Sequence, residues 1–200
     1  MELLSPAGNR EALIAAVQNG ADAVYLGYTA FGARSYAGNF DEAGLAEAVR
    51  YCHERGRRVY VTVNTLVKEP EMDDAADVLE MLCRRGADAV LVQDLGLAAL
   101  CRARFPDLAL HASTQMTIHN AQGVRLLREM GFTRVVPARE CPLEEIRLIA
   151  AEGLETEVFV HGALCVSVSG QCLFSGIVGG RSGNRGKCAQ PCRMRYRRPD

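Results

Sequence analysis

The chain has no excess of charge of either sign. Its 23 Lys and Arg nearly match its 24 Asp and Glu, for a formal net charge of -1. That balance argues against whole-chain electrostatic binding of nucleic acid and leaves only a local patch open. There is no glycine-rich phosphate loop of the GxxxxGK(S/T) kind. There is no GxSxG nucleophile turn either, since SVSGQ and FSGIV do not supply it. The opening residues MELLSPAGNREAL have neither the basic start nor the apolar core of a leader. Cytoplasmic location is therefore expected, and the eight cysteines are expected as reduced thiols or metal ligands rather than a disulfide framework. A stretch without Lys, Arg, Asp or Glu does run from Phe159 to Gly180, roughly the length of a membrane span. Gly162, Gly170, Gly176, Gly179 and Gly180, with Ser167, Ser169, Gln171 and Ser175, would be poor company in hydrocarbon, so no membrane association is expected.

What is present is a repeating strand-helix alternation in a chain of 200 residues, enough for one domain with a sizeable core. Apolar strand candidates are Leu3–Leu4, Ala23–Leu26, Val59–Val63, Ala89–Val92, Leu108–Leu110, Arg134–Val136 and Glu157–Val160. Between them, apolar residues three and four apart mark helices: Leu13, Ile14, Ala16 and Val17; Leu45, Ala48, Val49 and Cys52; Val78, Leu79, Leu82 and Cys83; Val124, Leu127 and Met130. Gly20, Gly56, Gly86, Gly131 and Gly153 stand where helices should stop in a left-handed cap. NGADAVYLG and RGADAVLVQ, from Asn19 and Arg85, repeat the same helix end, turn and strand. Such repetition implies parallel strands covered by helices. An open doubly wound sheet and a (β/α) barrel both satisfy it. The expected fold is a TIM-like (β/α) barrel, incomplete within these residues, followed by a Cys-rich loop region.

In a barrel of this kind the reactive groups stand where strands end. Polar residues follow five of the strand candidates: Asn64; Gln93 and Asp94; His111 with Ser113, Thr114 and Gln115; Arg139 and Glu140; His161. The glycine-rich stretch FGARSYAGNF after the second strand adds Arg34.

The region from Glu157 to Cys192 gathers Cys165, Cys172, Cys188 and Cys192 among glycines. Six residues separate the first pair and three the second. The second spacing fits a zinc ribbon and the first does not. An iron-sulfur cluster, whose ligands need not be close in sequence, a zinc site and reactive thiols all remain open. Cys52, Cys83 and Cys101 on helical faces, and Cys141 before a proline, read as small apolar core residues. A cysteine-peptidase arrangement would use Cys165 with His161, oriented by Glu157 or Glu140, but it leaves three further cysteines unexplained. Beyond them Arg181, Arg185, Lys187, Arg193, Arg195, Arg197 and Arg198 form a basic stretch without an acid.

The pattern Glu157-x-Phe159-x-x-Gly162-Ala163-Leu164-Cys165-x(4)-Gly170-x-Cys172 resembles the signature of peptidase family U32, the "collagenase-like" proteases. Phe174 departs mildly from the aliphatic residue that follows in that signature, and Ser175 agrees with it. ELLSPAG, GADAVYLG, FGAR, VTVNT, VQDLG, HASTQ, ARE, HGALC and GRSGNRGKCAQPCR carry the likeness through the whole chain. The resemblance implies proteolysis by the family's name. By its better-understood members it implies oxygen-independent hydroxylation, with a 4Fe-4S cluster and prephenate as oxygen donor. Such members act on tRNA wobble uridine, on 23S rRNA cytidine or on the ubiquinone ring, the last with a paralogous partner. FGAR, HASTQ and GRSGNRGKCAQPCR are nearest to members that hydroxylate rRNA cytidine.

On that resemblance, residues 1–161 are expected as the barrel-like domain and 162–200 as a Cys-rich, cluster-binding and basic segment. Because the sequence stops at MRYRRPD within a charged run, further C-terminal domains are expected beyond it. Cys165, Cys172, Cys188 and Cys192 match the cluster-ligand positions, with zinc as the runner-up metal. Arg139 and Arg34 would offer guanidinium forks to prephenate or a similar dicarboxylate, and Asn64 and Gln115 would orient it. His161, His111 and Glu140 would move protons. The basic stretch would meet RNA phosphate, and a separate protein would donate electrons.

Overall fold

A computed structural model describes residues 1–33, 38–162 and 164–197. Seven strands form one sheet in the order β1 to β7. They are β1 (Leu4–Pro6), β2 (Ala23–Gly27), β3 (Arg58–Val63), β4 (Ala89–Val92), β5 (Ala109–Ala112), β6 (Arg134–Val135) and β7 (Glu155–Thr156). Every neighbouring pair is parallel. The helices are α1 (Arg10–Gln18), α2 (Glu42–His53), α3 (Met72–Arg85), α4 (Leu95–Arg104), α5 (Ala121–Glu129), α6 (Leu143–Ala150) and the short α7 (Phe174–Gly179). A doubly wound sheet reverses its strand order at a switch point; here the order follows the chain throughout, as in a barrel. Among the described residues β1 and β7 are not paired, so the sheet curls as a part-barrel with two free edges.

Local chemistry sets the element ends. Asn9, Asp41, Asp94 and Asn120 each accept a backbone N–H from the first turn of the helix that follows, at 2.8–2.9 Å, and such a cap is worth about 1 kcal/mol. Gly20, Gly56, Gly86, Gly131 and Gly153 all take the positive φ expected of helix stops, from 64° to 94°. Two departures from the expected strand bounds bear on the site. β5 runs on to Ala112, so His111 lies within it. β7 forms at Glu155–Thr156 rather than over 157–160. One residue after its partner β6 stands Pro137, in the sequence VVPARE, whose missing N–H cannot extend the ladder. The apolar run after β7 is left outside the sheet, and Val160 is 87% exposed.

Side chains alternate across each strand. On the outer face Val24, Leu26, Val59, Val61, Val63, Val90, Val92 and Leu110 meet Leu13, Leu45, Leu79, Leu82, Leu97, Leu127 and Ile149 of the helices in one core. Cys52 and Cys101 belong to it, and burial pushes both thiols up to about 11. The inner face is smaller, with Ala23, Tyr60, Ala89 and Leu91 packed against Leu4, Tyr25 and Ala109.

A charged network lies on that inner face at the strand starts. Arg134, only 5% exposed, opens β6. Its guanidinium donates to Glu2 at 2.7 Å, to Glu155 at 2.6 Å and to Glu157 at 3.4 Å, and it lies 4.9 Å from the Tyr60 ring centre. The Tyr60 hydroxyl donates to Glu2 at 2.8 Å, and Arg58 pairs with Glu2 at 2.6 Å. Glu2 precedes β1, whereas Glu155 and Glu157 belong to β7 and its continuation, so Arg134 ties the two unpaired edges together. Burial raises the Glu2 carboxyl, but hydrogen bonds from Arg134 and Tyr60 and the charges of Arg134 and Arg58 outweigh it and hold Glu2 below the usual range. Beside them His111 packs edge-on to Tyr60 at 4.7 Å. It is 3% exposed, and its Nδ1 has no hydrogen-bond partner among the described residues. Burial, with Arg134 and Arg58 adding like charge, pushes it down to about 3.

The segment after β7 lies over the strand ends. Ser169 Oγ donates to Glu140 at 2.8 Å and accepts the Arg139 N–H at 3.2 Å. Gln171 Nε2 donates to the Gln115 carbonyl at 3.1 Å. Arg185 forks onto Glu71 and reaches the Leu66 carbonyl, and this fork, with the Lys68 N–H, lowers the Glu71 carboxyl. Gly186, at φ 75°, presses on the loop before the undescribed residues: a Cβ there would stand 2.4 Å from the Gly32 carbonyl oxygen.

Replacing Arg134 with Ala leaves the half-buried Glu2 and Glu157 carboxylates without their shared cation, and should cost up to about 3–5 kcal/mol in urea unfolding. His111 acts in the opposite direction with pH. Below the ordinary histidine value of 6.5 the unfolded chain takes a proton that the folded chain refuses. Stability therefore falls as pH drops through that value, with a slope approaching about 1.4 kcal/mol per pH unit. Unfolding free energies between about pH 7 and 5, above the carboxylate range, should show this slope, and His111→Leu should remove it. Gly186→Ala should loosen the docked segment, since left-handed strain of about 1–3 kcal/mol adds to the backbone clash. Protease cleavage within 181–197 should accelerate at least about tenfold while the unfolding midpoint of the barrel stays in place.

Candidate active site at the barrel mouth

A cavity of about 260 Å³ opens where the strands end. Tyr25, Asn64, Ser113, Gln115, Arg139 and Glu157 are among its polar lining residues. A larger recess of about 550 Å³ lies on the outer wall between α1 and α2, lined by Arg10, Glu47 and Arg50, and contains none of the residues expected to bind substrate or metal or to move protons. The mouth cavity is the better candidate because groups from several strands converge on it.

A chain of amides fixes its floor. Gln93 Nε2 donates to the Asn64 carbonyl at 2.7 Å and to Gln115 Oε1 at 2.9 Å. Asn64 Oδ1 accepts the Ala33 N–H at 2.9 Å, and its Nδ2 donates to Ser113 Oγ at 3.2 Å. Each side chain thus enters the cavity with its orientation already set. Asp94, also a strand-end residue, serves locally instead, capping α4 and accepting the Val67 N–H at 3.1 Å. Arg139 is half-buried, its backbone anchored by Ser169. Glu157 is less exposed than most carboxylates, and burial raises its carboxyl despite the opposing pull of Arg134.

Of the four residues expected to hold a substrate, Asn64, Gln115 and Arg139 come together here. Arg34 lies outside the described residues. The three expected to move protons do not line the cavity. His111 is buried in the interior and neutral, so it cannot carry a proton at the rim. Its place follows from strand alternation, which turns it inward beside Tyr60. Glu140 points away, accepting from His119 Nε2 at 3.0 Å and from Ser169. Burial raises it, and the bonds from Ser169 and His119, with backbone N–H contacts, lower it further than burial raises it. His161 is exposed on a bend outside the cavity. Tyr25 and Glu157 are cavity residues that the strand-end pattern does not mark. In the sequence Glu157 reads as part of the family signature and as an orienting group for His161, not as a cavity residue.

Cys165 and Cys172 are half-buried, Cys188 and Cys192 exposed, and none of the four is in a disulfide among the described residues. Two sulfurs already accept backbone N–H groups, Cys172 from Phe174 at 3.4 Å and Cys188 from Gln190 at 3.3 Å. Gly183 sits between the Cys172 carbonyl and the Cys188 Cβ; a Cβ added to it would stand 3.6 Å from each. Arg193 donates to the Leu164 carbonyl at 2.9 Å, which brings the Cys192 turn beside the Cys165 segment. Soft sulfur donors with amide support suit an iron-sulfur cluster or zinc in chemical type. Among the described residues, however, no three His, Cys, Asp or Glu side chains are gathered closely enough to hold a metal ion.

The basic stretch divides. Arg185 is engaged by Glu71, Arg181 reaches the Lys187 carbonyl at 3.3 Å and Arg193 the Leu164 carbonyl. These three hold the segment together. Lys187, Arg195 and Arg197 are exposed, and Arg198 lies outside the described residues. The uncharged run from Phe159 to Gly180 is broken into turns and the six-residue α7, and no helix among the described residues is long and apolar enough to cross a membrane.

Comparison with known proteins agrees with the geometry. The chain is 45% identical over 199 residues to the 23S rRNA 5-hydroxycytidine C2501 synthase of Escherichia coli (strain K12), an alignment covering 98% of this chain and 30% of that protein. It is 40% identical over 196 residues to tRNA hydroxylation protein P1 of Bacillus subtilis (strain 168), covering 98% of this chain and 46% of that one. The chain thus spans less than half the length of these relatives. The solved structure of the U32 peptidase Mk0906 superimposes with a TM-score of 0.64 at 17% identity, over 79% of this chain and 67% of that one, and shares the fold. The model of peptidase family U32 matches residues 8–199, and the chain belongs to that family.

Proposed function

We propose that the chain is the barrel portion of an oxygen-independent RNA hydroxylase that adds a hydroxyl to a pyrimidine C5, with rRNA cytidine as first substrate and tRNA uridine as second. The observation that carries this reading is 45% identity across 98% of the chain with a protein named for making 5-hydroxycytidine in 23S rRNA. The mouth cavity supports a small acid, prephenate or a similar dicarboxylate, as oxygen donor. Arg139 would fork onto one carboxylate, while Asn64 and Gln115, held by Gln93, would orient the ring. Lys187, Arg195 and Arg197 would meet RNA phosphate at the edge of the same face. Cys165, Cys172, Cys188 and Cys192 would hold a 4Fe-4S cluster, which supplies one-electron chemistry when bound. A separate protein would recharge it, and the work would take place in the cytoplasm, where RNA is found.

The peptidase reading needs His161 to activate Cys165. Cys165 is half-buried and His161 exposed, and neither lines the mouth cavity.

Nucleoside mass spectrometry of RNA from a strain lacking the gene should show loss of a hydroxylated pyrimidine, restored by the wild-type gene. Unchanged hydroxylated pyrimidines would overturn the proposal. Anaerobically purified protein should carry iron, sulfide and a broad brown absorption, all lost when Cys188 and Cys192 are changed to Ser. Arg139→Ala should raise the prephenate concentration for half-maximal rate by about 10- to 100-fold, the worth of one charge-assisted fork.

A further inference from the structure

Glu157 follows β7 and faces two environments. Toward the strand starts, one carboxylate oxygen reaches Arg134 at 3.4 Å. That guanidinium is already served at 2.7 Å by Glu2 and at 2.6 Å by Glu155, so Glu157 is its most distant acid. Toward the strand ends, Glu157 lines the mouth cavity with Tyr25, Asn64, Gln115 and Arg139. It is the one carboxylate among the described residues on that wall. The charged groups acting on it are Arg134 from β6, which favours ionisation, and Glu2 from before β1, which opposes it; Arg139 shares the cavity from the loop after β6. Burial is larger than either charge effect and raises the carboxyl from its ordinary value.

We propose that Glu157 is a catalytic acid of the mouth cavity, donating a proton from its carboxyl group to an oxygen atom of the small acid bound there. The inference rests on reading the cavity as the donor site. The step moves a proton alone. The O–H bond of Glu157 breaks, an O–H bond forms on a carbonyl oxygen of the ligand, and no electron changes hands. Arg134, already within 3.4 Å, stabilises the carboxylate left behind. Water then returns the proton. A purely structural Glu157, serving only as a third acid for Arg134, would make none of the following differences.

The full chain is compared with Glu157→Gln, which keeps the shape and a hydrogen bond to Arg134, and with Glu157→Asp, which keeps an acid. In a ¹³C NMR titration of the glutamate carboxyls, the resonance missing from Glu157→Gln should titrate above the ordinary value of 4.5, and prephenate should shift it. In turnover of RNA with prephenate, Glu157→Gln should lower kcat about 100-fold or more, change KM for prephenate less than about threefold, and abolish the decline in rate that the wild type shows as pH rises through this titration. Glu157→Asp should restore about a tenth of the rate or more. The proposal is overturned if Glu157→Gln keeps the wild-type kcat with only a lower melting temperature, or if the carboxyl titrates at or below its ordinary value. A wild-type protein that hydroxylates no RNA would defeat the RNA reading instead. In that case the carboxyl resonance and its response to prephenate still decide for or against Glu157.

Discussion

A sheet that curls without closing must hold its free edges by something other than backbone hydrogen bonds. Here that task falls to one buried guanidinium. Arg134 stands on β6 and binds acids from both sides of the gap, Glu2 before β1 and Glu155 and Glu157 at β7. A charge at that depth would be expelled if alone; it is tolerated because its donors meet several acceptors and an aromatic face. A planar fork with five N–H groups can serve partners in different directions, which an ammonium on a flexible stem does less well. With the strand starts fixed, the position of each strand end follows from the parallel register, and so does the shape of the mouth.

The polar residues of the strand ends then divide between two jobs. Gln93, Asp94 and Glu140 spend their hydrogen bonds on protein partners, orienting Asn64 and Gln115, capping α4, and holding Ser169. Arg139, Gln115, Asn64 and Glu157 keep part of their capacity directed at the cavity. Preorganisation of this kind removes the need to order side chains when a ligand arrives.

The strands and helices are legible in the sequence because their signals are local. Alternating valines in VYVTV, and glycines such as Gly86 after α3, need no distant partner to be read. The cysteine of α2 is legible as core by its spacing. What escapes depends on neighbours. His111 reads as a strand-end base because the apolar run LAL stops before it, but β4 pairs onward to Ala112 and turns the ring inside. Val158 to Val160 read as a strand, yet the ladder stops at the Glu157 N–H bonded to Val135. α4 goes unmarked because its sequence LGLAALC offers little contrast between faces. Glu157 cannot be placed at the cavity without knowing that Arg134 prefers closer acids.

The cysteine segment is fastened to the barrel by Ser169 at the Arg139 N–H and by Gln171 at the Gln115 carbonyl. Both anchor points belong to residues whose side chains form the cavity wall. The two regions therefore share a mechanical joint. Linkage is reciprocal: anything that stiffens the sulfur-bearing turns narrows the range of positions open to that wall, and an occupant gripping Arg139 and Gln115 steadies the turns in return. The joint consists of two hydrogen bonds, with no hinge between the regions they fasten.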